Sequence, residues 1–212
     1  MKRVILMSIV FMGCLQTALA QNTIASIRKA YQEQKELIAM MSDSFPSEGI
    51  PPEYYHLHVA QNLPGTGGHF ENVHFYYGEE EQDQDEDFNP YPPHYLTFVS
   101  SKYNFAAREF YEEYLYDKNG QVMFIYARNP DVDFPKIHEL RLYFDGERLL
   151  RLNVKEAVTV SFDDETLKTA DFKDIYTGTT IPEAYEEFCK MFIQRSKRFL
   201  SLFKSIDDNT YL

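Results

Sequence analysis

Tryptophan is absent from the 212-residue chain, cysteine occurs only twice, and basic residues are scarce: 21 Lys and Arg stand against 33 Asp and Glu, a formal charge of −12. Each shortage excludes something. An acidic chain repels a phosphate backbone on average, so no nucleic acid is expected as a partner. Long apolar runs are missing too. The longest covers residues 4–15, short of the roughly 20 residues a bilayer crossing needs, so no transmembrane segment is expected.

Catalytic signatures are equally thin. No Gly-x-Ser-x-Gly occurs, which removes the strand-to-helix serine elbow. Ser201-Leu-Phe-Lys204 spells Ser-x-x-Lys and Lys168-Thr169-Ala170 is close to Lys-Thr-Gly, but their order is reversed relative to penicillin-recognising enzymes and no Ser-Asp-Asn element accompanies them. Gly65-Thr-Gly67-Gly68 lacks the Lys-Ser/Thr of a phosphate loop and the dinucleotide spacing, and reads as a turn. Glu109, Glu112 and Glu113 supply carboxylates of the kind a glycosidase pairs across a cleft, yet any acidic strand offers such neighbours.

The metal-binding patterns are incomplete. His56-x-His58 shares one side of a strand, and His69, His74 and His94 follow, but no Glu or Cys stands at a recognised third-ligand spacing. Asp83-x-Asp85-x-Asp87 alternates carboxylates as a Ca²⁺ loop does, with Phe88 and His94 where the sixth-position glycine and twelfth-position glutamate belong. No catalytic residue, metal ligand or cofactor is therefore assigned from sequence.

What is present begins with a leader. Lys2 and Arg3 precede the apolar run, which ends in Ala18-x-Ala20, the pattern of a cleaved signal peptide over residues 1–20. The expected mature chain, 21–212, is periplasmic or secreted. Gly13-Cys14 supplies the alternative of a lipid anchor on Cys14. Cleavage leaves Cys189 alone, without an internal disulfide partner, and its place between Phe188 and Phe192 marks it as a small buried hydrophobe.

With 44% hydrophobic residues the chain has material for one domain. Apolar spacings of three and four predict a helix over 23–41, and a second over 180–203 with a Thr180/Glu183 capping box. Lys190, Arg195, Lys197, Arg198 and Lys204 read as the polar face of that second helix. Between Tyr54 and Val160 about seven strands are expected. The clearest hairpins turn at Asp117-Lys-Asn-Gly120 and Asp145-Gly146, and the latter puts His138, Leu140, Leu142 and Phe144 on one face and Glu139, Arg141 and Tyr143 on the other. Residues 78–93 carry seven acids and read as a solvated loop. The expected fold is α+β, an antiparallel meander whose terminal helices cover one face.

Two resemblances accompany this pattern. Leu115-Tyr116-Asp117-Lys-Asn-Gly120, echoed by Tyr143-Phe144-Asp145-Gly146, resembles the tyrosine-aspartate hairpins of secreted repeat proteins. Gln21-Asn22 directly after Ala-x-Ala, then helix, Tyr-rich meander and helix, resembles uncharacterised secreted proteins of the Bacteroidetes type, a likeness that implies no activity. The remaining positive feature is 16 Tyr and 17 Phe, whose rings offer rigid contact area. The function expected is a non-catalytic domain binding a small molecule or an envelope protein, with an apolar groove between sheet and helices. The alternative is an envelope hydrolase acting on glycan or peptide.

Overall fold

The computed structural model describes residues 22–44, 54–80, 92–131, 135–159, 161 and 164–210. The leader with Cys14, and the part of the acidic segment that holds Asp83, Asp85 and Asp87, lie outside the described residues. Helix α1 (Ile24–Ser44) is followed by strands β1 (Tyr54–Leu63), β2 (Gly67–Glu79), β3 (His94–Phe105), β4 (Arg108–Tyr116), β5 (Val122–Pro130), β6 (Lys136–Asp145) and β7 (Arg148–Val158). Then come a short helix α2 (Asp164–Thr169), β8 (Lys173–Gly178) and helix α3 (Glu186–Thr210). All eight strands form one sheet in sequence order with antiparallel neighbours, so the expected α+β meander is present with one strand beyond the seven between Tyr54 and Val160.

Local chemistry explains the turns. Asp117 Oδ1 accepts the backbone N–H groups of Asn119 and Gln121 at 2.9 and 2.8 Å, and Gly120 takes a φ of +77° that costs a glycine nothing. At the β6–β7 turn Gly146 has a φ of +60°. Thr23 and Ser26 cap α1 reciprocally, Ser26 N donating to Thr23 Oγ1 at 3.1 Å and Thr23 N to Ser26 Oγ at 2.9 Å. The backbone N–H of Asn22 also donates to Asp145 at 3.1 Å, which ties the start of α1 to the β6–β7 turn.

The helices do not share a face, contrary to the expectation from sequence. Cys189, Phe192, Phe199 and Phe203 of α3 pack on Val73, Phe75, Val99, Tyr114, Ile125, Leu140, Leu142, Leu152 and Val154. Ile27 of α1 packs instead with Phe98, Leu115, Phe124 and Tyr143, which point the other way. Period-two alternation makes this two-sided arrangement possible, because β3 to β7 carry apolar side chains toward both faces. Two further differences concern α3. It starts after a single 3₁₀ turn, Glu183–Tyr185, whose capping residue is Pro182 with no side-chain cap bond, so the Thr180/Glu183 box does not form, and it runs on to Thr210. Arg195 is not on a polar face but turned into the sheet.

Candidate functional site

On the α1 face the antiparallel register lines up side chains in rows across the strands. One row is aromatic and apolar: Tyr54, Tyr76, Phe98, Leu115, Phe124 and Tyr143 are successive cross-strand partners. Helix α1 lies over its middle, with the Tyr31 ring 4.9 Å from Phe124 and 6.1 Å from Phe98. The next rows are polar. Glu113 pairs with Tyr126 and Tyr126 with Arg141, while Lys102 pairs with Tyr111 and Tyr111 with Arg128.

Helix α1 lies over the apolar row and reaches the polar rows through Tyr31 and Lys35, and a cleft of about 730 Å³ remains between them. Its walls carry five cations, Arg28 and Lys35 from α1 and Lys102, Arg128 and Arg141 from the sheet, and one carboxylate, Glu113. Thus five of the chain's 21 basic residues converge on one place in a molecule of net charge −12. Neighbouring acids offset part of this. Arg141 meets Glu139 at 2.5 Å and Lys102 meets Glu109 at 3.3 Å, the latter pair half-exposed and weak.

Tyrosine rings carry the arginines. The Arg128 guanidinium lies 4.9 Å from the Tyr111 ring centre, Arg141 5.7 Å from Tyr126 and Arg28 5.5 Å from Tyr143. Such stacking holds a guanidinium flat while leaving its edge donors in use for another partner. Among the described residues, Arg28 has no carboxylate within ion-pair distance; its Nε donates to Tyr143 Oη at 3.4 Å.

Glu113 holds the cleft floor. Its carboxylate is 3% exposed and accepts Lys35 Nζ at 2.6 Å, the Tyr111 hydroxyl at 2.6 Å, and the Tyr31 hydroxyl. Burial, reinforced by the Glu113 charge, drives the Tyr31 and Tyr111 phenols far above their ordinary range, and burial with Glu139 does the same for Tyr126. All three hydroxyls are therefore protonated donors at any physiological pH. None is a base.

The residues singled out from sequence are scattered. Glu112 and Glu113, adjacent in β4, point to opposite faces, so they are not a glycosidase pair, and Glu109 sits at the surface with Lys102. Glu112 instead joins a buried cluster under α3. Arg195 Nε donates to it at 2.7 Å, Tyr103 and Tyr114 hydroxyls donate at 2.7 and 2.5 Å, and Arg195 Nη2 also reaches Glu71 at 2.7 Å. His56 and His58 both approach Asn72 Oδ1, at 3.3 and 2.9 Å, and His74 stacks on His56 at 4.3 Å. His94 pairs with Asp207 at 2.7 Å, and His69 with a backbone carbonyl. Among the described residues no group of three His, Cys, Asp or Glu is arranged to hold a metal ion. Cys189 is fully buried, and burial pushes its thiol up to about 11.

The cleft cations were not singled out in the sequence, apart from the face assigned to Glu139, Arg141 and Tyr143. A usable signal was there: Tyr126-Ala-Arg128 and Arg141-Leu-Tyr143 place Tyr and Arg two apart on consecutive strands, hence on one face of each. No family model, curated protein or solved structure matches this chain.

Proposed function

We propose that the protein is a non-catalytic ligand-binding domain whose site is the cleft between α1 and the polar rows of the sheet, and that it takes a small organic anion. The observation that carries this reading is the gathering of five cations around one cleft in a strongly acidic chain. Charge concentrated against the overall field serves an anion that must be drawn in locally. This cleft is cationic and tyrosine-lined; the mostly apolar hollow between sheet and helix lies instead under α3, lined by Val122, Phe144, Ile193 and Leu200.

The state of Glu113 favours binding over hydrolysis. A general base needs a lone pair within reach of substrate, whereas this carboxylate is nearly buried and already accepts three donors. The residues lining the cleft include no His, Ser or Cys among those described. An extracytoplasmic location is part of the proposal and rests on the leader pattern of residues 1–20. Native mass spectrometry on protein purified from its own host tests the reading. A reproducible added mass, lost on denaturation and lost in Arg28→Glu, is the expected result. An added mass that Arg28→Glu leaves intact would place the ligand elsewhere.

A further inference from the structure

The cleft cations are not spread evenly. Arg28 and Arg141 stand together at one end, where α1 begins, since Arg28 lies over Tyr143 of β6 and Arg141 is itself on β6. Toward the other side of the cleft are Lys102 on β3 and Lys35, whose ammonium is 5.8 Å from the Phe98 ring of β3 and 2.6 Å from Glu113 of β4. Two independent rulers measure the gap. Arg28 and Lys35 are seven residues apart on α1, two turns on the same face, which at 1.5 Å per residue is about 10 Å. Strands β3 and β6 are three steps apart in the sheet, which at 4.8 Å per step is about 14 Å. Between the poles stands Arg128 on β5, while the Glu113 carboxylate of β4 is paired with Lys35 itself at 2.6 Å.

We infer that the ligand is an elongated dianion, with an acidic group at each end about 10–14 Å apart. This rests on the reading of the cleft as an anion site and names its ligand class. Each pole offers donors beyond its present partners: Lys35 has three and Glu113 takes one, Arg141 has five and Glu139 is its one acidic partner among the described residues. Two ends held at once gain over one end alone through effective concentration, provided the spacer spans the sites.

The test is calorimetric titration of the folded chain with a length series of straight α,ω-dicarboxylates, succinate through dodecanedioate, each beside its monocarboxylate. Arg28→Gln and Lys102→Gln, one exposed residue from each pole, are titrated in parallel, with circular dichroism to confirm folding. Expected is an affinity optimum at a chain length that spans the poles, at least tenfold above the matching monocarboxylate, with each variant bringing the optimum down toward the monocarboxylate value. Binding that ignores chain length or survives both substitutions overturns the two-pole inference but leaves the cleft as an anion site. Absence of binding by the whole series, mono- and dicarboxylates alike, overturns both.

Discussion

Arg195 shows how much a single side chain carries. Its guanidinium sits 4.7 Å over the Tyr103 ring and 5.0 Å over Phe199, and it neutralises Glu112, whose side chain is 1% exposed. Removing one partner of a buried pair leaves the other charge uncompensated, so Arg195→Ala is expected to lower unfolding free energy by about 3 kcal/mol, measured by urea titration. Arg195→Met with Glu112→Gln removes both charges and should cost distinctly less. Tyrosines on this face add a pH dependence. Burial, then the Glu112 charge, holds Tyr103, Tyr114 and Tyr116 well above the ordinary 10.0. A raised folded value means the unfolded phenol ionises first. Their contribution is therefore intact below pH 10 and is lost as pH climbs toward the folded values. Phenolate absorbance should rise together with loss of structure, in one cooperative alkaline transition; early titration of the buried tyrosines within a folded molecule would contradict it.

At the scale of elements, the two long helices are held unequally. Helix α3 sinks Cys189, Phe192, Ser196, Phe199 and Phe203 against the sheet, whereas Ile27 is the one fully buried side chain among those described in α1. Few buried contacts mean a low opening free energy. Amides of α1 should thus exchange with solvent well before those of α3, and a bound anion should slow α1 selectively by bridging Arg28 and Lys35 to the sheet. Hydrogen exchange with and without ligand reads both. Phe192→Ala, by contrast, should cost about 3–5 kcal/mol through cavity formation beneath α3.

The strands were legible because their turns are chemically marked, as at Asp117 to Gly120. Which face each helix covers was not, since β4 and β5 are apolar on both sides, and Leu115 and Tyr114 give no hint of which helix each will meet. The cleft was illegible for a related reason. A lone Arg in a strand reads as an outward polar residue, and only the register that sets Tyr111 against Arg128 and Tyr126 against Arg141 turns scattered residues into a cationic surface.

For the whole molecule, charge distribution is the informative property. A chain of −12 should drive anions away, yet the cleft beside α1 draws five cations together. Because the cleft opens to solvent, binding there should weaken as ionic strength rises and the Debye length falls from about 10 Å at 0.1 M to about 3 Å at 1 M salt. The most direct test of the site itself is NMR mapping on ¹⁵N-labelled protein titrated with a long α,ω-dicarboxylate. The account predicts that the Arg28, Arg128 and Arg141 Nε resonances and the backbone of Tyr111 and Tyr126 move together and saturate at one equivalent. Perturbations that fall instead on α3 or the outer strands, with the cleft resonances still, would contradict it.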